Sequence, residues 1–288
     1  MNPKINLAGV ELKNPVMTAS GTFGSGMEYS EFVDLNKLGA VVTKGVANVP
    51  WPGNPTPRIA ETYGGMINAI GLQNPGIDVF CERDIPFLKK YDTKIIVNVC
   101  GKSERDYVEV VERLAGEPVD MLEINISCPN VKEGGIAFGQ NAANIEHITK
   151  AIKNVAKQPV IMKLSPNVTD ITEMAKAAEA GGADVLSLIN TITGMKIDIN
   201  RQTFAVANKT GGLSGPAVKP VAVRMVYQVA NAVKIPIIGM GGIATAEDAL
   251  EFILAGATAV SIGTANFHNP RTTLEVIEGI EKYMVNKG

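Results

Sequence analysis

Residues 121–165 read MLEINISCPNVKEGGIAFGQNAANIEHITKAIKNVAKQPVIMKLS, and this stretch decides the fold. An apolar run at 121–128 leads through a glycine-rich loop to a helix-length amphipathic segment at 142–155, which is followed by a second apolar run at 160–165. The second run opens with the three apolar residues Val160, Ile161 and Met162 and does not alternate strictly, which is typical of parallel strands that are covered on both faces. The stretch therefore predicts one β–α–β unit of a parallel sheet.

The same alternation of short apolar runs and helix-length segments continues along the whole chain. The predicted strands lie at 15–20, 40–46, 94–100, 121–128, 160–165, 184–190, 235–240 and 259–263. The predicted helices lie at 28–38, 77–89, 104–114, 142–155, 171–180, 217–233, 246–254 and 272–283. Ser103 and Thr245, each three residues before an aspartate, predict capping boxes at two helix starts. Eight β–α units predict an α/β fold, a (β/α)8 TIM barrel forming a single domain over residues 1–288.

Two connections are too long for a plain barrel, one at 47–76 and the other at 193–216. Within the second, the segments 196–199 and 203–206 predict a small antiparallel excursion. Both connections leave the carboxyl ends of predicted strands, which is the face where barrels of this kind carry their active sites. We therefore expect short antiparallel insertions at the C-terminal face.

Composition and charge exclude several classes of partner. The chain has 288 residues with 27 basic and 29 acidic side chains, so its formal net charge of −2 offers no surface for nucleic acid or an anionic membrane. Residues 1–30 lack the charged and apolar regions of a secretory signal, and no apolar run approaches the roughly 18 residues of a membrane-spanning helix. We expect a cytoplasmic protein without a nucleic-acid or membrane partner.

The three cysteines, Cys81, Cys100 and Cys128, lie far apart and form no C-x-x-C pair. This spacing disfavours a disulfide framework, a zinc site and an iron–sulfur cluster, and we expect no bound metal. A lone cysteine is usually a buried structural thiol, which is our interpretation of Cys81 and Cys100. Cys128 differs because it follows a strand end, lies between Asn125 and Asn130, and precedes a proline that stops the strand. These features favour a reactive thiol.

The end of every predicted strand carries a polar residue or a glycine, and all these ends face the same rim. A rim that carries amides and lysines but no carboxylate suits an anionic ligand that is rich in carbonyl and N–H groups. Lys44 and Lys163 follow apolar runs and would be desolvated without an anion, so we favour a binding role for both. Glycines after the last two strands predict a phosphate site. Asn68 and Asn190 fit a binding role and a turn equally well.

Seven segments spread over nearly the whole chain together resemble the FMN-binding catalytic chains of the dihydroorotate dehydrogenase family. They lie at 18–24, 43–45, 68–76, 125–130, 163–167, 211–216 and 239–243. The resemblance implies that FMN lies across the top of the barrel. The implied FMN contacts are Ser20, Lys44, Gly45, Asn98, Asn125, Lys163, Ile189, Gly215, Gly241, Gly242, Gly263 and Thr264.

The resemblance also implies how substrate is held and oxidised. The implied substrate contacts are Lys44, Asn68, Ala69, Ile70, Gly71, Leu72, Asn125, Asn130, Asn190 and Thr191. Cys128 would be the general base that takes the C5 proton of dihydroorotate, and Lys163 would stabilise negative charge on the flavin. Amide side chains suit the alternating carbonyl and N–H edge of a pyrimidine, and Lys44 can balance its carboxylate.

The resemblance extends to a subclass. Residues 131–135 and 138–139 are more similar to the NAD-linked members than to the fumarate-linked ones, and membrane-linked relatives have serine where this chain has Cys128. NAD-linked members oxidise dihydroorotate to orotate in pyrimidine (UMP) biosynthesis. Their electrons pass to NAD⁺ through a partner subunit with FAD and a [2Fe–2S] cluster. The implied assembly is a heterotetramer built on a homodimer of catalytic chains.

Three alternatives stay open at this point. A dihydropyrimidine dehydrogenase subunit shares the FMN barrel and the cysteine base, but typically has histidine where this chain has Asn130, and dihydrouracil has no carboxylate for Lys44. A phosphate-binding barrel lyase or isomerase accounts for the glycine loops but not for the asparagines around Cys128. A non-catalytic scaffold leaves the two desolvated lysines without a role.

Overall fold

The computed structural model describes residues 3–126 and 139–287. Eight parallel strands close into a barrel in chain order, and the eighth pairs with the first through Val260 and Val16. The strands, numbered first to eighth below, are Val16–Thr18, Ala40–Val42, Lys94–Val99, Met121–Asn125, Val160–Lys163, Val185–Leu188, Ile237–Met240 and Ala259–Ile262. Each lies inside a predicted apolar run, so the predicted (β/α)8 barrel is confirmed.

Helices between the strands cover the outside of the barrel. The longer ones are Glu104–Leu114, Ala142–Val155, Ile171–Ala180, Lys219–Ala230, Ala246–Leu254 and Thr272–Lys287, with a short helix at Ala265–His268. Three consecutive helical segments, Ile77–Val79, Phe80–Asp84 and Ile85–Leu88, follow the first long connection, and the middle one is a π-helix. The two predicted capping boxes are present, since Ser103 and Thr245 accept from backbone N–H groups of Asp106 and Asp248. A 3-10 turn at Pro216–Val218 precedes the helix Lys219–Ala230.

The helix predicted at 28–38 is wrong. The structure has two separate 3-10 turns there, Tyr29–Glu31 and Leu35–Lys37. Between them Asp34 has an extended backbone, with φ −71° and ψ 101°, and its side chain accepts the backbone N–H of Asn36 at 3.1 Å. This hydrogen bond caps the start of the second turn, and the extended backbone at Asp34 keeps the two turns from joining into one helix.

The two long connections form antiparallel insertions, as predicted. They build a four-stranded sheet with the strand order Ile192–Met195, Thr210–Ser214, Gly65–Asn68 and Ile59–Thr62. The predicted small excursion is the pairing of Ile197–Asp198 with Thr203–Phe204. A further hairpin, Ile5–Leu7 with Val10–Leu12, precedes the barrel, and Leu7 and Leu12 pack in the same cluster as interior barrel side chains such as Met17.

Two apolar layers hold the barrel together. The larger lies between strands and helices and includes Tyr107 and Phe252, while a smaller cluster that includes Met17 and Ile161 fills the barrel interior. Polar side chains are buried as well, and the central ones are Asn98, Glu123, Lys163 and Ser187. Buried polar groups need hydrogen-bond or charge partners, so this cluster marks the part of the interior where a functional site is expected. No helix within the described ranges has the length and apolar character required to cross a membrane.

Candidate active site

A cavity of about 860 Å³ lies at the carboxyl ends of the strands. All eight strand ends contribute to its wall, and the four-stranded insertion sheet closes one side through residues such as Ile59, Asn68 and Leu213. This volume lies in the range typical of cofactor and small-molecule sites. The cavity occupies the face where (β/α)8 barrels carry their active sites.

The structure brings the described residues of the predicted rim into this one cavity. Those predicted to contact a flavin all line it, namely Ser20, Lys44, Gly45, Asn98, Asn125, Lys163, Ile189, Gly215, Gly241, Gly242, Gly263 and Thr264. Of the predicted substrate contacts, Lys44, Asn68, Ile70, Gly71, Leu72, Asn125, Asn190 and Thr191 line it. Cys128 and Asn130 lie outside the described residues.

Ala69, which is also a predicted substrate contact, does not line the cavity. Its side chain packs in a small apolar cluster with Ala60, Ile67 and Val206. Its N–H donates to the Arg58 carbonyl at 2.7 Å and its carbonyl accepts from Asn54 at 3.1 Å. Side chains alternate along an extended segment, so Asn68 and Ile70 face the cavity while Ala69 faces away.

A buried ion pair lies at the floor of the cavity. Lys163, at the end of the fifth strand, donates from Nζ to Ser20 Oγ at 3.0 Å and lies 3.5 Å from Glu123 Oε2. The side chains of Lys163 and Glu123 are only 5% and 2% exposed. The sequence favoured a ligand-binding role for Lys163 because a desolvated lysine needs an anion, and in the structure Glu123 supplies an anion within the protein. Glu123 was not predicted as a site residue because it lies in the middle of the fourth strand and not at its end. The signal in the sequence was a carboxylate inside a mainly apolar run.

Glu123 has further partners on both sides. Asn98 donates from Nδ2 to Glu123 Oε2 at 2.6 Å, and Ser187 donates from Oγ to Glu123 Oε1 at 2.9 Å. The other end of the Asn98 amide, Oδ1, is buried and has no hydrogen-bond partner among the described residues. It lies over Gly45, where an added Cβ would approach it to 2.8 Å. The cavity therefore contains a buried acceptor that a ligand donor can satisfy.

Amide side chains on the fourth and sixth strand ends form a second cluster. Asn190 Nδ2 lies 3.4 Å from Asn125 Oδ1, and the N–H of Thr191 donates to Asn190 Oδ1 at 2.8 Å. Asn167 fixes the loop after the sixth strand, since it donates to the Thr191 carbonyl at 3.0 Å and accepts the N–H of Thr193 at 2.9 Å. Asn167 has no role in the sequence prediction, because its two partners come from a loop far along the chain.

Glycines with positive φ shape the end of the cavity near the seventh strand. Gly215, Gly241 and Gly242 have φ of 102°, 122° and 79°. A Cβ on Gly242 would lie 2.8 Å from the Gly215 carbonyl oxygen and 3.0 Å from the Lys219 backbone nitrogen. Glycine is the residue that this backbone and these close contacts accommodate, and the loop lines the cavity with main chain that an anion can approach.

Asp248 holds the loop that follows these glycines. Its carboxylate accepts the N–H groups of Ala244 and Thr245, each at 2.9 Å, and accepts from Lys219 Nζ at 2.6 Å. Burial raises the pKa of the Asp248 carboxyl, but the hydrogen bonds from Lys219 and the two backbone N–H groups outweigh it, so the pKa lies below its usual value. A carboxyl with a lowered pKa stabilises the fold above its unfolded-state pKa and loses this effect as pH falls through its folded-state pKa. The loop is therefore held at neutral pH.

Gly242→Ala is expected to weaken FMN binding about tenfold or more, because the new Cβ forces apart the main chain of Gly215 and Lys219. Equilibrium binding of FMN to the apoprotein measures the change. Gly116→Ala is the control, since a Cβ there meets nothing within 4 Å, and it should bind FMN as the wild type does. Unchanged FMN affinity in Gly242→Ala would mean that this loop does not hold the phosphate.

Comparisons with known proteins agree with this geometry. The family model for dihydroorotate dehydrogenase matches residues 3–284. A dihydroorotate dehydrogenase B (NAD⁺) catalytic subunit of Lachnoclostridium phytofermentans is 77% identical over 284 residues, which cover 99% of this chain and 95% of the relative. The protein of the same name from Alkaliphilus metalliredigens is 69% identical, with 99% and 94% covered.

A solved structure shares the fold. The dihydroorotate dehydrogenase of Eimeria tenella in complex with ferulenol superposes with a TM-score of 0.82, covering 99% of this chain and 85% of the other at 24% identity. At that identity the likeness supports the barrel fold alone. The family model, however, spans almost all of the barrel, and the curated relatives are similar along nearly their full length. This chain belongs to the dihydroorotate dehydrogenase family.

Proposed function

We propose that this chain is the FMN-containing catalytic subunit of an NAD-linked dihydroorotate dehydrogenase, which oxidises dihydroorotate to orotate in pyrimidine biosynthesis. The names of its relatives support the reaction. The observation that carries the proposal is one cavity with a buried cation, a cluster of amides and a glycine-lined loop. We further propose that residues 1–288 form a single FMN-binding domain.

The residues present fit FMN. Asn98 offers a buried acceptor without a partner among the described residues, which suits the N–H of the flavin pyrimidine ring. Lys163 brings positive charge to the same side, and Gly241 and Gly242, whose positive φ favours glycine, line the cavity with main chain, which suits a phosphate. Ser20, Lys44, Gly45, Asn125, Ile189, Gly215, Gly263 and Thr264 complete the proposed contacts. Bound FMN supplies the hydride acceptor for the reaction.

The remaining polar groups suit dihydroorotate. Asn68, Asn125, Asn190 and Thr191 offer donors and acceptors to the carbonyl and N–H edge of the ring. The Lys44 ammonium lines the same cavity and balances the charge of the substrate carboxylate.

Cys128 is the proposed general base, which takes the proton from C5 of the substrate. An unperturbed thiol has a pKa of about 8.5, so modest lowering makes it an effective base near neutral pH. Asn130, two residues further on, is the proposed substrate contact from the same segment.

We propose that electrons leave through a partner subunit that carries FAD and a [2Fe–2S] cluster and reduces NAD⁺, within a heterotetramer built on a homodimer. The term "catalytic subunit" in the relatives' names supports the existence of a partner. Three cysteines in the whole sequence are too few for a cluster held by four thiolates, so we assign the cluster to the partner.

Anaerobic titration of the purified holoprotein with dihydroorotate tests this function. We expect about one equivalent of dihydroorotate to bleach the flavin absorption band at roughly 450 nm. Dihydrouracil in place of dihydroorotate tests the dihydropyrimidine dehydrogenase alternative, and it should leave the flavin oxidised. A yellow protein that dihydrouracil alone reduces would favour that alternative, and a colourless protein that takes up no FMN would exclude both.

A labelling experiment tests the proposed reactive thiol. Burial raises the pKa of the Cys81 thiol to about 11, which leaves a thiolate fraction of about 10⁻³ at pH 8, and Cys100 is fully buried. We therefore expect one fast-reacting thiol per folded chain, mapped to Cys128 by peptide mass analysis. Orotate should slow its modification, while modification of Cys81 or Cys100 at a comparable rate would contradict the assignment.

A further inference from the structure

Glu123 is a buried carboxylate that is not among the proposed contacts of the cofactor or the substrate. It lies in the middle of the fourth barrel strand, is 1% exposed, and its side chain contacts groups from the third, fifth and sixth strands. Burying a carboxylate costs several kcal/mol unless charge and hydrogen bonds compensate it. Here Lys163 supplies the charge, and Asn98 and Ser187 supply the hydrogen bonds.

The carboxylate decides which way the Asn98 amide points. A carboxylate only accepts hydrogen bonds, so the side of Asn98 that meets Glu123 at 2.6 Å must be the NH₂ group. The carbonyl oxygen of the amide then faces the other way, over Gly45, where it has no partner among the described residues. With a neutral partner at position 123, both amide orientations would be available.

The carboxylate also sets the charge of the cavity floor. Lys163 lies between Glu123, at 3.5 Å, and Ser20, at 3.0 Å, and only Lys163 of the ion pair lines the cavity. The pair has no net charge, and its positive end is the one exposed to a ligand. A full negative charge remains one layer below, where burial limits its screening by solvent.

We propose that Glu123 is a positioning residue that fixes the polarity of the flavin site. It orients the Lys163 ammonium and the Asn98 carbonyl oxygen so that a cation and a hydrogen-bond acceptor face the ligand. Uptake of two electrons and one proton would leave the flavin with one additional negative charge, which the negative charge of Glu123 opposes, so Glu123 lowers the reduction potential of bound FMN. This inference rests on the proposed FMN site.

Glu123→Gln tests it, because glutamine preserves the shape and the contacts. Its carbonyl oxygen can accept from Asn98 and its NH₂ can donate to the Ser187 hydroxyl, so glutamine removes the negative charge and, with it, the constraint that keeps the Asn98 carbonyl oxygen facing the ligand. We expect the equilibrium constant for two-electron reduction of bound FMN to rise at least tenfold at pH 8, where the reduced flavin retains its negative charge. This corresponds to a midpoint potential about 30 mV more positive. Equilibration with a redox dye under anaerobic conditions measures it.

Ser187→Ala is the matched control, since it removes a hydrogen bond to the same carboxylate but leaves the charge. Its FMN reduction constant should stay within about threefold of the wild type. The proposal is overturned if Glu123→Gln leaves the reduction constant unchanged, or if Ser187→Ala shifts it equally. The wild-type substrate titration is independent of this comparison, so failure of the proposed function would be seen separately.

A second variant covers the case in which Glu123→Gln does not fold. The double variant Glu123→Gln/Lys163→Met has neither charge, and it should then recover a folded barrel by circular dichroism. Recovery would show that the unpaired lysine caused the defect, as the proposal requires. A double variant that is equally unfolded would contradict it.

Discussion

Cys128→Ala is expected to lower the rate of dihydroorotate oxidation about 10²–10⁴-fold, because it removes the proposed general base. The substrate proton at C5 would then have to pass to water or to a poorly placed group. FMN content and thermal stability should stay close to wild type, because the change removes one thiol. Stopped-flow absorbance with excess dihydroorotate measures the rate of the half-reaction without the partner subunit.

Two further variants test whether the reaction depends on the basicity of the group at position 128 and not on cysteines elsewhere in the chain. Cys128→Ser keeps a proton acceptor with a far higher pKa, so its rate should be lower than that of wild type at pH 7 and rise with pH. Cys81→Ala removes a cysteine that does not line the cavity, and it should retain the full rate. If Cys128→Ala keeps more than a tenth of the wild-type rate, Cys128 is not the base.

Lys163→Met is expected to lower the rate of dihydroorotate oxidation about 10²–10³-fold and to destabilise the barrel. The rate falls because the cation that we propose stabilises developing charge at the flavin is lost. Stability falls because Glu123 is left as an unpaired buried carboxylate, and breaking a buried ion pair in this way costs about 3–5 kcal/mol. Stopped-flow kinetics and urea unfolding measure the two effects.

The double variant with Glu123→Gln separates these two effects. It removes the unpaired charge, so it should recover most of the lost stability while the rate stays low. Lys150→Met is the surface control, because that lysine is 58% exposed in an i,i+4 pair with Glu146 and should change stability by no more than about 0.5 kcal/mol. A Lys163→Met protein with wild-type rate and stability would remove Lys163 from the site.

The sequence was most informative where local patterns determine structure. Short, mainly apolar runs located all eight barrel strands, and Ser103 and Thr245 marked two helix starts. The prediction was wrong at 28–38, where the extended backbone at Asp34 keeps two turns from joining into one helix. Propensity alone could not decide between one helix and two turns, because both arrangements are local and similar in energy.

The site was predictable as a rim because all parallel strands of a closed barrel end on the same face. The alternation that turns Ala69 away from the cavity was not visible in a segment predicted as a loop. Asn167 was missed because its partners belong to the loop after another strand. In each case the missing information was the direction of a side chain.

The sequence by itself determined the eight barrel strands, most of the helices between them, the insertions and the residue types at the strand ends, because these follow from hydrophobic periodicity and turn chemistry along the chain. Only the tertiary structure decided that Lys163 meets Ser20, across 143 positions, and that Glu123 lies beneath them. Barrel closure sets the strand register, and register decides which side chains share the interior. The pairing of a buried lysine with its carboxylate is therefore a property of the closed barrel.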